Sequence, residues 1–135
     1  MTNPDAAARE RLEREPNVWF ASVRPDGRPH LVPVWFVWMD ERFFVCIQPG
    51  SVKAGNLRRE ARVTLSLEDG SRPMICEGRA RFVAPPWPPT VVEAFRRKYD
   101  WDLAVEVNYT AMVEIVPQKW LTWESSGPSG SAGGV

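Results

Sequence analysis

The chain has 135 residues, with 17 Lys and Arg against 17 Asp and Glu, so its formal net charge is zero. That length leads us to expect one domain, and the balanced charge argues against a general nucleic-acid binder. The single histidine, His30, excludes a multi-histidine metal site, and the 44% hydrophobic content fits an ordinary globular core.

Residues 5–15 are rich in Ala, Arg, Glu and Leu and predict a helix that Pro16 ends. Residues 17–23, rich in aromatic and branched side chains, predict a first strand. Arg24-Pro25-Asp26-Gly27 predicts a turn, because Pro presets φ and Asp-Gly tolerates the left-handed region. Residues 30–39 predict one long strand and residues 43–48 a third, joined at Asp40-Glu41-Arg42. Residues 50–59 predict a short helix closed by Arg58 and Arg59, whose charge complements the helix dipole.

Residues 62–68 alternate, with Val63, Leu65 and Leu67 on one face. Residues 74–83 predict a long strand with Met74, Cys76, Ala80 and Phe82 on one face and Glu77, Arg79 and Arg81 on the other. After a proline-rich connector, Thr90 and Glu93 have the spacing of a capping box, and a helix follows to about Tyr99. Residues 109–116 predict the last strand. Short connections argue for an antiparallel sheet, and six strands with two or three short helices suggest a mainly β, α+β barrel.

The expected organisation is a single domain over residues 1–124, its N-terminal helix within residues 1–16, and a flexible Gly/Ser-rich tail over residues 125–135. The polar N-terminus shows no secretory leader, and the longest apolar run, residues 31–39, is too short to span a bilayer. A cytoplasmic protein without membrane or nucleic-acid partners is therefore expected. Cys46 and Cys76 lack Cys-x-x-Cys spacing and read as buried core thiols. Most of the seven tryptophans read as core or dimer-interface residues, and their number predicts a homodimer.

The candidate site is the run Val32-Pro33-Val34-Trp35 followed by Gln48-Pro49-Gly50-Ser51-Val52-Lys53 and Asn56. A flat ring can lie on the apolar strand. The helix start suits an anion, because its first N–H groups lack intrahelical acceptors and carry partial positive charge. Lys53 in that first turn is electrostatically misplaced unless an anion joins it, and no acidic residue lies between Gly50 and Asn56. Pro33 reads equally as a simple bulge or as a device that frees backbone groups for a ring's polar edge.

These segments, together with Asp26-Gly27-Arg28-Pro29-His30, Glu77-Gly78-Arg79-Ala80 and Lys98-Tyr99-Asp100-Trp101, resemble the pyridoxamine 5'-phosphate oxidase-like, flavin-binding split-barrel family. Their order and spacing, over residues 17–123, most resemble the branch of small oxidoreductases using FMN or the deazaflavin coenzyme F420. The resemblance implies a six-stranded split β-barrel, a homodimer and a cofactor in a cleft between subunits. It assigns the cofactor phosphate to Ser51 and Lys53, the ring to Val32 through Trp35, and Asn56 to a polar place beside the phosphate. Gln48 and Val52 belong to the same implied cofactor site.

Departures from the pattern are informative. Pyridoxamine phosphate oxidases proper carry basic residues on the ring strand and an Arg-Lys pair where this chain has Val52-Lys53. Their substrate-binding arginine and histidine near the C-terminus have no counterpart here. The resemblance therefore favours F420 over FMN, with Arg28, Arg58, Arg79 and Arg81 available to an anionic tail. Two functions stay open: an oxidoreductase transferring a hydride to or from a small organic substrate, or a non-catalytic holder of flavin, F420 or haem.

Overall fold

The computed structural model describes residues 3–123; the expected tail, residues 125–135, lies outside them. Three helices and seven strands follow in the order α1 (Ala6–Arg14), β1 (Val18–Val23), β2 (Pro29–Val34), β3 (Val37–Met39), β4 (Arg42–Ile47), α2 (Val52–Arg59), β5 (Arg62–Ser66), β6 (Met74–Val83), α3 (Pro89–Tyr99) and β7 (Ala111–Thr122). All strands join one sheet in the order β2-β1-β5-β6-β7-β4-β3, and every pairing is antiparallel.

The two edge strands, β2 and β3, are consecutive in the chain. From Val34 to Val37 the backbone can span at most about 11 Å. The sheet must therefore curl until its edges approach, giving a half-barrel. This corrects the six-strand expectation: the predicted strand over residues 30–39 is two strands on opposite edges, broken at Trp35-Phe36.

The break has an identifiable cause. The Phe36 N–H donates to the Tyr99 hydroxyl at 3.0 Å, and the Phe36 carbonyl accepts from Lys98 Nζ at 2.9 Å. The Tyr99 oxygen also lies 2.8 Å from the Pro16 carbonyl and 2.9 Å from that of Phe36. Side chains from α3 thus satisfy peptide groups that a continuous strand would give to a neighbour, as partly buried backbone requires. The Phe36 ring is fully buried beneath, with Lys98 Nζ 3.8 Å from its centroid.

Two apolar clusters flank the sheet. Inside the curl, Phe20, Phe36, Phe43, Val45, Ile47, Leu65, Met74, Val113 and Ile115 pack with Leu12 of α1 and Ala54 and Leu57 of α2. Outside it, α3 lays Val91 and Phe95 on Val37, Phe44, Cys46 and Met112. Strand β4 is buried on both faces, which is why residues 43–47 read as an unbroken apolar run rather than an alternation. At Gly78, opposite a bulge in β7, an added Cβ would sit 2.7 Å from the Val116 carbonyl oxygen.

Helix α2 starts as expected, with Ser51 at its N-cap accepting from the Ala54 N–H. Helix α3 does not. Its N-cap is Pro88, whose carbonyl accepts from the N–H groups of Val91 and Val92, and Glu93 pairs with Arg96 rather than closing a capping box with Thr90. Pro89 occupies the first turn, where a missing N–H costs nothing, so the helix begins ahead of Thr90.

Replacing Tyr99 by Phe removes the acceptor for the Phe36 N–H and keeps the ring. The expected loss is about 1–3 kcal/mol in urea unfolding. Val107→Ala, at a position 80% exposed, should change stability by less than about 0.5 kcal/mol. Equal effects from the two substitutions would show that the hydroxyl does not hold the strand break.

Candidate functional site

The cleft of interest lies at the split. Strand β2 has one sheet neighbour, β1, and beyond Phe44 strand β4 pairs only with β7. The stretches 32–34 and 45–47 therefore each present an edge to the gap. Between them opens a cleft of about 420 Å³, lined by Asn17, Pro33, Val34, Trp35, Cys46, Lys53, Trp101, Glu106 and Tyr109. That volume lies within the range of small-molecule and cofactor sites, about 300–1,000 Å³.

Of the residues expected from sequence, Pro33, Val34, Trp35 and Lys53 meet in this cleft. Val32 adjoins them on β2, with its side chain half-buried on the face opposite Pro33. Ser51 stands at the start of α2 with its hydroxyl engaged: it donates to the Gln48 carbonyl at 2.7 Å and accepts from Ala54 N–H. Gln48 and Val52 are exposed at that corner and do not line the cleft. Asn56 departs most from its assigned place. It is 2% exposed and donates to the buried Ser22 hydroxyl at 3.0 Å, which ties α2 to β1 and turns the amide away from the cleft.

Lys53 is half-buried, and burial pushes its pKa below the ordinary lysine value. Among the described residues no acid pairs with it. The sole histidine, His30, is also pushed down, first by burial and then by the positive charges of Arg24 and Lys53. Its Nδ1 is buried without a hydrogen-bond partner. Arg24 and Lys53 thus set a positive field that keeps His30 neutral, and of the three only Lys53 lines the cleft. Sequence analysis gave no role in the site to Arg24 or His30. Their common signal is the hairpin register, which sets His30 opposite Ser22 on the side of the sheet that α2 covers.

The rest of the lining is largely aromatic and includes one acid. Trp35 stacks on Tyr99 with centroids 4.4 Å apart and planes 6° apart. Trp101 meets Trp35 edge-on at 5.7 Å, and Tyr109 meets Trp101 edge-on at 5.9 Å. Glu106 fixes this wall: its carboxylate accepts from Trp101 Nε1 at 2.8 Å and from the N–H groups of Asn108 and Tyr109 at 2.9 and 3.2 Å. Those bonds, the Asn108 one foremost, hold Glu106 below the usual carboxylate range. Cys46 lies at the cleft as a protonated thiol, pushed up to about 12 mainly by burial. Sequence reasoning missed Asn17, Cys46, Trp101, Glu106 and Tyr109 as wall residues; the last three lie on the irregular stretch between α3 and β7, which has no periodicity to read.

The other residues singled out from the sequence lie outside this lining. Trp38 and Trp120 pack on Phe43, away from the cleft. Arg28 pairs with Asp26, Arg81 pairs with Glu114, and Arg58 lies over the Phe82 ring while donating to the Pro49 carbonyl. Arg79 makes no ion pair among the described residues. Among them no group of His, Cys, Asp and Glu is placed to hold a metal ion, and no helix is long and apolar enough to cross a membrane.

With this geometry in view, the family is plain. Residues 4–124 match the pyridoxamine 5'-phosphate oxidase family model, and the chain belongs to that family. None of the curated proteins matches the chain. Solved structures of the same fold include the conserved hypothetical protein Rv2991 of Mycobacterium tuberculosis, with 24% identity, a TM-score of 0.70, and 92% of this chain and 86% of that one covered. An F420 reductase matches with 21% identity and a TM-score of 0.68, covering 87% of this chain and 97% of that one. HutZ, the haem storage protein of Vibrio cholerae, matches with 18% identity and a TM-score of 0.74, covering 90% and 95%. At these identities the likeness is one of fold.

Lys98 behind the site offers a test by pH. Burial lowers its pKa from 10.5 to about 8. At neutral pH both folded and unfolded chains carry the proton, and the folded state bears the full cost. Between about pH 8 and 10.5 the unfolded chain keeps a proton that the folded chain has released, so the Lys98 contribution to stability rises with pH. In denaturant unfolding at pH 7.5 to 9.5, Lys98→Met should remove that rise while other titrating groups stay common to both proteins. Identical pH slopes would show that Lys98 is not held in its buried place.

Proposed function

We propose that the split holds a phosphate-bearing tricyclic redox cofactor, coenzyme F420 in preference to FMN. On this reading the chain is an oxidoreductase that moves a hydride to or from a small organic substrate. The observation that carries it is Lys53: a half-buried lysine, desolvated and without an acid partner, in the first turn of α2 and on the wall of a cofactor-sized cleft. An anion there recovers charge-assisted hydrogen bonds that the bare protein lacks. Arg24 adds to the same field, which His30 registers as a lowered pKa.

The backbone edges of β2 and β4 suit the polar rim of a flat ring, and Pro33, Val34 and Trp35 suit its faces. When bound, such a ring supplies the hydride chemistry. The protein binds and orients it and keeps water from the ring. The preference for F420 rests on the apolar ring strand and on Arg24 and Arg79, which make no ion pair among the described residues and suit an extended anionic tail. A non-catalytic holder of flavin, F420 or haem is the alternative, and turnover with the reduced cofactor separates the two.

The reading includes a homodimer. On the outer face of the β1–β2 hairpin, Trp19, Ala21 and Val23 lie opposite Pro33, Leu31 and Pro29. Trp19, Val23 and Leu31 are exposed there and form a continuous apolar surface. Light scattering at micromolar concentration should give twice the chain mass, and a monomer would count against a shared cleft.

Titration with FMN and F420 tests the cofactor. A ligand at 100 times its Kd should add about 2.7 kcal/mol of stability. Lys53→Ala should weaken binding about tenfold to a hundredfold without lowering the melting point of the bare protein. Its melting point should rise slightly, since a desolvated charge is removed. No shift with either cofactor, or unchanged affinity in Lys53→Ala, would overturn the assignment.

A further inference from the structure

The cleft lining has two unlike parts, and only one of them suits a phosphate. Lys53 borders it from α2; Trp35, Trp101, Tyr109 and Glu106 border it as a group joined by ring contacts and hydrogen bonds that do not include Lys53. Trp35 is 47% exposed, with one ring face covered by Tyr99. Trp101 and Tyr109 stand nearly perpendicular to their neighbours, at 79° and 84°. Three rings turned against one another in this way form a corner rather than a flat platform. A second planar ring entering it gains stacking on one wall and edge contacts on the next.

Glu106 makes the corner rigid and gives it a sign. One carboxylate oxygen takes the Trp101 indole proton, and the other takes two backbone protons from residues 108 and 109. Trp101 and Tyr109, near the two ends of one loop, are thereby locked together. The carboxylate also places negative charge in this part, and no cation pairs with it among the described residues. The loop that carries it shows two strongly exposed apolar residues, Val105 at 73% and Val107 at 80%.

We propose that the corner formed by Trp35, Trp101 and Tyr109 is the subsite for the second reactant, and that it takes a planar aromatic ring, neutral or cationic, bearing no acid group at its inserted end. This rests on the cofactor reading above, since it divides one cleft between an anionic cofactor at Lys53 and a flat substrate at Glu106. Charge then sorts the two ligands: the anion is drawn to one part and repelled from the other. Glu106 is a positioning residue in this scheme. It acts through the rings that it holds.

Three bicyclic probes of similar size test the subsite, with any cofactor in its oxidised form so that no hydride is available to them: N-methylquinolinium, quinoline and naphthalene-2-sulfonate. Each is titrated calorimetrically into the full chain, bare and loaded with whichever cofactor it binds. The first two should bind, and the sulfonate should bind about tenfold more weakly. Tyr109→Leu and Trp101→Leu should each weaken quinoline about tenfold while leaving cofactor affinity unchanged. Tyr109 is 40% exposed, so its substitution should keep the fold, with the melting point as control. Glu106→Gln should erase the discrimination against the sulfonate, a change that loss of structure alone would not produce.

A wild type that takes a cofactor but none of the rings overturns the aromatic subsite and leaves the cofactor reading standing. Variants that lose cofactor and quinoline in equal proportion overturn it too, because the corner then belongs to the cofactor. Ring binding with the same Tyr109 dependence in a protein that takes neither cofactor supports the subsite and overturns the cofactor reading. Binding of neither kind of ligand overturns both.

Discussion

The peptide group pair of Phe36 is the point on which the architecture turns. A chain leaving one sheet edge to begin the other must expose an N–H and a carbonyl at the crossing. In a partly buried place each unpaired group costs on the order of 1–3 kcal/mol. Tyr99 and Lys98, adjacent at the end of α3, take both. They can do so because Val91 and Phe95, two turns and one turn earlier, seat α3 on the outer face of β3, β4 and β7. The crossing is secured by the same helix whose packing covers the sheet.

That arrangement also makes the cleft. With the Phe36 ring drawn fully into the interior, the alternation of a strand sends its neighbour Trp35 outward. Tyr99 meets it there and stacks on it, so the residue that closes the crossing also backs the cleft wall. Phe95, Tyr99, Trp35, Trp101 and Tyr109 then form a continuous series of ring contacts from the helix core to the opening. A fold whose sheet closed fully would have no such opening, since β2 would pair with β4 where the gap now lies.

Much of this was legible in the chain, and the rest was hidden for particular reasons. The alternation in residues 62–66, the long two-faced strand 74–83 and the Ser51 cap depend on local pattern and came through. Residues 30–39 read as one strand because every member is compatible with extended backbone, and the partners that divide it lie over sixty residues away in α3. The capping box at Thr90 and Glu93 failed because Pro88 and Pro89 start the helix earlier by another route. Lys53 drew notice because a lone cation at a helix start is anomalous in any fold, and it lines the cleft. Asn56 misled, since a buried amide serving Ser22 and an amide serving a ligand have the same sequence signature. Glu106 could not be found, because its importance lies in three loop contacts that no periodicity encodes.

The two parts of the cleft lining differ in how their charges are held, and that difference sets what each can do. Glu106 has its hydrogen-bonding capacity met from within the chain, so it is stable without a ligand and acts by excluding anions and fixing rings. Lys53 has no such partners, and its desolvation is a standing cost to the bare protein. Binding an anion reverses the sign of that effect: the nearby negative charge favours the protonated amine that burial had disfavoured. A ligand at Lys53 therefore stabilises the fold through the very residue that strains it when empty, whereas a ligand at Glu106 gains only what its own surface brings. An anionic group alone draws a molecule to Lys53, and shape alone admits one to the aromatic corner.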